Sequence, residues 1–398
     1  MKIVYFAQDL ADPAVHRRVR MLREGCSNIV LIGFRRSTEP IDCIEGVIPI
    51  DLGRTEARNL KRRVGSIVTS MIRLGRHRHA FAGATTVLGR NLDMLLLAAL
   101  ARRRYAPSAS LVYECLDIHW TMVSRSLVGV VLRRIEGMML RSCDLLVVSA
   151  PDFITGYFNP VHGQVPPCHV LENKVLESEV AAENAPVRPR PPGPPWRIGW
   201  FAAIRCSSSL HLLASLVRRL PNSINVIIQG NVVWDNVPDF LQVIESTPGM
   251  EYRGVYDRRT DLPAIYSDVH FAWTVDFFGS YGNSDKLLPN RLYEAGLYGS
   301  VPIAERSVAT GRWLANHNAG ILLDDPIEES AARFFETLDA ETYAQASKAL
   351  TLIPRSAFVC SDEECRGVCS MLAGLPTRSI RPHGRVSDAP ANRVKRDA

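Results

Sequence analysis

The chain reads as an α/β protein made of two parallel-sheet halves facing each other across a cleft, and three observations predict this. First, short apolar, β-branched runs alternate with helical stretches, beginning KIVYFA, NIVLIGF and GVIPIDL and continuing TTVLG, SLVYECLDI and DLLVVSAP. Strand and helix in alternation put helices on both faces of a parallel sheet. Second, the text then changes to SEVAAENAPVRPRPPGPPW, whose prolines lock φ and forbid regular pairing, so that it reads as a linker. Third, the alternation restarts with WRIGWFA, INVIIQG, MEYRGVY, DVHFAWTV, SVPIAE and GILLDD. At 398 residues and 46% apolar, the chain is too long for one ordinary core and rich enough for two. Each half is therefore Rossmann-like.

The expected domains are residues 1–177 and 196–355, joined by a linker over 178–195. A terminal helix over 356–373 is placed to pack back on the first half, and a basic tail over 374–398 has too little apolar periodicity to fold. The most apolar helical runs, LDMLLLAALA and LVGVVLRRIEGMML, are short or broken by Arg133, Arg134 and Glu136, so neither reads as a membrane span. The first residues lack the pattern of a signal peptide, which makes a cytoplasmic chain the expectation. Nine cysteines without a CxxC pair read as reduced thiols, and Cys360, Cys365 and Cys369 lack the nearby His a metal site would want.

Ligands of doubly wound sheets gather at the carboxyl ends of the strands, and four such loops carry polar clusters. After the first strand, Asp12 reads as an N-cap with Pro13 at the first helical position, followed by His16, Arg17, Arg18 and Arg20. Those arginines either solvate an outer face or touch an acceptor or phosphate. In YECLDIH, a strand presents Glu114, Asp117 and His119; a carboxylate and an imidazole at a strand's mouth suit removal of a proton from an acceptor hydroxyl. Asp117 is the first choice for that base, with His119 its rival or hydrogen-bond partner. If the strand runs on, alternation puts both on one face.

The third loop, GWFAAIRCSSSLHLL, sets Arg205, Ser207 and Ser208 at a helix start, a diphosphate cradle unless the serines merely cap. The fourth, NSDKLLPNRLYEAGLYGSVPIAE, holds Ser284, Lys286, Asn290, Arg291 and Glu294 around one short helix. Glu294 is suited to accept both hydroxyls of a ribose, while Lys286 and the helix start hold phosphate. The alternative is a surface ion pair between Glu294 and Arg291.

The stretch NRLYEAGLYGSVPIAE resembles the nucleotide-binding segment of GT-B glycosyltransferases of the family-4 kind. The amino-terminal segment, LVYECLDIH and LENKVLES are similar to a bacterial exopolysaccharide-biosynthesis subgroup. The resemblance implies the GT-B fold and a transferase using a nucleotide-diphosphate sugar, UDP- or GDP-linked, with acceptor on the first half and donor on the second. It gives Glu294 the ribose, as the second glutamate of the family's E-x7-E pair. Lys286 stands where the first glutamate belongs and would neutralise the leaving diphosphate rather than accept a sugar proton. Ala203 and Ser208 replace the basic pair of the usual phosphate loop, leaving Arg205 to compensate. No cofactor or obligatory metal is implied beyond the donor itself, and no DxD signature stands in a convincing place.

The net charge of +6 is local, because eight Lys/Arg stand against one Glu between Arg54 and His79. With Leu60, Val64, Ile67, Val68, Met71, Ile72 and Leu74 this stretch suits either an anionic membrane surface, useful for a lipid-linked saccharide acceptor, or its own sheet. A membrane reading would make the chain peripheral on the inner face of the plasma membrane. Nucleic acid is not an expected partner, since no recognised module accompanies the charge. Two rivals keep the layout: a sugar-nucleotide epimerase, and a non-catalytic sugar-nucleotide-binding subunit.

Overall fold

The structure is a computed structural model that describes residues 1–55, 70, 73–180, 190–278 and 283–376. The amino-terminal half contains strands β1 (Ile3–Ala7), β2 (Ile29–Arg35), β3 (Ile50–Arg54), β4 (Thr86–Arg90), β5 (Ser110–Cys115), β6 (Leu145–Val148) and β7 (Cys168–Val170). They form one parallel sheet in the order β3-β2-β1-β4-β5-β6-β7. Residues on both faces are buried in β1, β4 and β5, as the continuous apolar runs require of a sheet covered by helices on each side. Helices α1 (Pro13–Arg23), α2 (Asn91–Tyr105), α3 (Trp120–Val123) and α4 (Leu127–Leu140) follow β1, β4 and β5.

After a two-residue strand β8 (Val175–Leu176), the second sheet is built from β9 (Trp196–Phe201), β10 (Ile224–Gln229), β11 (Met250–Tyr252), β12 (Phe271–Trp273), β13 (Val301–Glu305) and β14 (Ile321–Leu323). Its order is β11-β10-β9-β12-β13-β14, again all parallel. Helix α5 (Ser207–Arg219) leaves β9, and α6 (Asn290–Leu297) leads into β13. Strand order therefore reverses twice, between β1 and β4 and between β9 and β12, and these are the places where a doubly wound sheet opens a crevice.

The chain then returns to the first half. Strand β15 (Val359–Cys360) pairs with β8, and helix α7 (Asp362–Ala373) lies on α1, where the Cys369 thiol meets Leu22 O at 3.3 Å. Gly374 to Pro376 stay in touch with the sheet, since Ser110 Oγ donates to Pro376 O at 3.0 Å; the rest of the expected tail lies outside the described residues. The linker is anchored at its start, where Glu179 pairs with Arg20, and 181–189 are outside the described residues. Most of the basic stretch between Arg54 and His79 is also outside them. Leu74, expected on that stretch's apolar side, is in the core of the first half. Among the described residues no helix is long and apolar enough to cross a membrane.

Gly230 shows how tightly β9 and β10 are joined at the cleft. Its φ is +141°, and a Cβ there would lie 1.7 Å from Ala202 O. Gly230→Ala should therefore lower stability by about 2–4 kcal/mol. Gly367→Ala, on α7 with nothing within 4 Å of the added carbon, should be neutral or stabilising. Urea unfolding of the two variants checks this contrast.

Candidate active site

A cavity of about 430 Å³ lies between the two sheets, bounded by the loops after β1, β5, β6, β7, β9, β11 and β12 and by the start of α6. Asp12, Asp117, Ser149 and Asn173 come from the first half; Arg205, Arg258, Asp276, Asn290, Arg291 and Glu294 come from the second.

On the first-half side, Asp12 caps α1, accepting from Ala14 N at 2.9 Å, with Pro13 at the first helical position. Behind it, Arg90 lies 3.7 Å from Asp12 and donates to the Tyr5 hydroxyl at 2.9 Å. Tyr5 donates in turn to Glu114 at 2.9 Å, and Arg18 Nε holds the other Glu114 oxygen at 2.5 Å. Glu114 thus does not face the cleft; it is buried inside a charge network. Burial alone would raise its pKa, but Arg18, Arg90 and the Tyr5 hydroxyl outweigh burial and hold it below the ordinary glutamate value. Arg17 and Arg18 are buried too, so neither solvates an outer face.

Strand β5 stops at Cys115, and the alternation that would have aligned Asp117 with His119 ends with it. Asp117 is exposed on the cavity wall and accepts from Asn283 Nδ2 at 3.0 Å. Asn283 Oδ1 accepts from Ile118 N at 3.0 Å, so one side chain of the second half clasps this loop twice. His119 instead caps α3, its Nδ1 accepting from Thr121 N at 3.3 Å, and it is not part of the cavity wall.

In the second half, Arg205 reaches the cavity with its guanidinium 4.7 Å over the Phe278 ring and 3.7 Å from Asp276. The serines beside it do not join it. Cys206 is the cap of α5, its sulfur accepting from Ser209 N at 3.4 Å; Ser207 is off the wall, and Ser208 lines a separate outer groove with His211 and Glu328.

Helix α6 begins at the cavity with no side-chain cap, and the N–H groups of Asn290 and Arg291 have no intrahelical partner, while Leu292 N donates to Pro289 O at 3.0 Å. Asn290, Arg291 and Glu294 all line the wall. Glu294 is 2% exposed and does not pair with Arg291: its oxygens accept from Arg258 Nε at 2.7 Å and from the Tyr266 hydroxyl at 2.9 Å. Arg291 lies 3.9 Å from Asp276, which therefore sits between two guanidiniums. Ser284 is buried and donates to Phe278 O, and the Lys286 stem packs on Gly156 of the first half. Neither belongs to the cavity wall, where Lys286 was expected beside the donor.

Arg258, Asp276 and Asn283 were not anticipated. All three lie in loops that follow strands of the second sheet, and weighing every strand's carboxyl end would have flagged them.

No family model matches the chain. It is similar to the succinoglycan biosynthesis protein ExoL of Rhizobium meliloti (strain 1021), 37% identical over 378 residues, 94% of each chain. The chain belongs to the ExoL family. Among solved structures, Anabaena Alr3699/HepE in complex with UDP and glucose is 13% identical with a TM-score of 0.69, covering 94% of this chain and all of that one. The lipopolysaccharide outer core galactosyltransferase WaaB matches with a TM-score of 0.62 at 12% identity, over 94% of this chain and 99% of that one. This ExoL relative accordingly has the GT-B fold, two Rossmann-like halves about a cleft.

Because the Glu114 pKa is depressed on folding, the stability it contributes is present above the ordinary glutamate value and is lost as pH falls through the folded one. Glu114→Gln should cost about 3 kcal/mol at neutral pH by leaving Arg18 unpaired. It should also lessen the fall in stability below about pH 4.3, the unfolded value. Urea titrations of both proteins at several pH values measure this.

Proposed function

We propose that this ExoL relative is a glycosyltransferase of exopolysaccharide synthesis that moves a sugar from a nucleotide-diphosphate sugar to a lipid-linked saccharide acceptor at the cytoplasmic face of the membrane. The observation that carries the reading is the composition of one cavity wall. Arg205, Arg291 and the uncapped start of α6 stand on the second half, opposite Asp12 and Asp117 on the first. The HepE complexes with UDP and glucose and with UDP-glucose support a UDP-sugar as the donor to test first. The role of ExoL in succinoglycan biosynthesis supports a saccharide acceptor.

In this reading residues 196–355 bind the donor and residues 1–177 the acceptor. As the glycosidic bond to the diphosphate breaks, negative charge gathers on the leaving group, and fixed guanidiniums and helix N–H groups stabilise it there without reorganising. Glu294 keeps free lone pairs on both oxygens for the ribose hydroxyls, while Arg258 and Tyr266 fix its orientation. Asp117, held by Asn283, is the group placed to accept the acceptor's proton if the configuration inverts.

Two outcomes follow. Arg205→Ala should lower kcat/KM about 100-fold and Asp117→Asn should lower kcat at least about 100-fold, whereas Lys286→Ala should change either by no more than about threefold. Release of free nucleotide together with lengthening of a saccharide acceptor is the assay, and equal losses in all three variants would refute the site. In a thermal-shift panel of UDP-, GDP- and dTDP-sugars, the UDP-sugar should stabilise the protein most, by about 2.7 kcal/mol at a hundredfold excess over Kd.

A further inference from the structure

We propose that the outer face of α3 and α4 is the surface by which this chain lies on an anionic lipid bilayer, an inference that rests on the reading of a lipid-linked acceptor. The face is apolar where a soluble helix is polar. Trp120 is 69% exposed, Leu127 85%, Val128 46%, Val131 53% and Met138 50%. These are five of the fourteen exposed large apolar side chains among the described residues, gathered within nineteen positions of one another. Apolar groups scattered singly over a surface need no explanation, whereas a cluster of this kind marks a contact.

The charges around the cluster choose the partner. Arg134 on α4, Arg125 in the turn between the two helices and Arg141 at the end of α4 are exposed. The one acidic residue of α4, Glu136, is turned inward, where it accepts from the Tyr113 and Tyr157 hydroxyls at 2.8 and 2.7 Å and lies 2.8 Å from His162 Nε2. Apolar side chains with arginines, on helices that themselves carry no exposed carboxylate, match the acyl boundary and the anionic headgroups of a bilayer interface. Trp and Arg also recur together in protein interfaces, and what favours the bilayer here is the nearness of this face to the acceptor side of the cavity.

The surface is also rigid and correctly placed. Gly129 lets the two helices touch, since a Cβ there would be 2.5 Å from Thr121 O, and Arg133 donates to Met122 O and Ser124 O, both at 2.7 Å. Trp120 stands three residues after Asp117, so a bilayer against this face brings headgroups to the acceptor side of the cavity. Of the stretch between Arg54 and His79, Ser70 and Leu74 are buried while Arg73, Arg76 and Arg78 are exposed, and most of the rest lies outside the described residues.

The test is co-sedimentation of the full chain with vesicles of phosphatidylcholine alone or mixed with phosphatidylglycerol, alongside thermal shift with a UDP-sugar in solution. The parent should bind the mixed vesicles. Trp120→Ser, Leu127→Glu and Val131→Glu combined should weaken that binding by about tenfold or more, and Arg125→Gln and Arg134→Gln by about fivefold each. The UDP-sugar shift should be the same in every variant; if no protein shows one, the donor reading fails while the surface stands. The inference is overturned if the parent ignores the mixed vesicles or if the variants bind as the parent does. It is equally overturned if the apolar variant merely turns a dimer into a monomer with vesicle binding unchanged, because a second copy would then be what covers the face.

Discussion

The arrangement depends on one constraint: a carboxylate buried in the wall of the cleft must be compensated. Glu294 is nearly inaccessible, and an unpaired charge there would cost several kcal/mol. Arg258 supplies the compensation, and it also reaches Glu179 at 3.4 Å. Glu179 pairs with Arg20 of α1 at 2.5 Å, Arg20 with Glu45 at 2.6 Å, and Glu45 with Arg259 at 2.5 Å. Alternating charges thus run from α6 through the crossover into the first half and back. The same helix turns Leu292 and Tyr293 into the apolar cluster of the first half, so charge and burial orient the two walls together.

The cavity wall has its own balance. Arg205 and Arg291 would repel each other if nothing lay between them, and Asp276 is placed to prevent this at distances of 3.7 and 3.9 Å. These separations are long for charge-assisted hydrogen bonds, so among the described residues neither guanidinium is saturated. In the proposed reading, a diphosphate, with more charge and more acceptor atoms than one carboxylate, engages both without first breaking short contacts. Stacking on Phe278 helps to fix the Arg205 guanidinium at the wall.

In the first half, the cleft loop after β1 is set by polar groups beneath it. Arg90 ties Asp12 to Tyr5, and Glu114 ties Tyr5 to Arg18, so the α1 cap is joined to the middle of the sheet. The apolar face of α3 and α4 flanks this wall, so in the proposed reading one half serves both the acceptor side and the bilayer contact.

By itself the sequence determined what depends on neighbours along the chain: two sets of parallel strands, the cap at Asp12 and Pro13, Arg205 at the end of a strand, and Asn290, Arg291 and Glu294 on one helix. Each follows from apolar periodicity, φ restriction or helical spacing, which act over a few residues. Which polar groups share a cavity was decided by packing between segments tens to hundreds of residues apart. Ser207, Ser208, Ser284, Lys286 and His119 have the right chemistry but point elsewhere, because Cys206 takes the α5 cap, Gly156 receives the lysine stem and β5 ends before His119. Arg258 entered for the converse reason: it is unremarkable in its own loop, and only the fold brings it to a buried carboxylate 36 residues away.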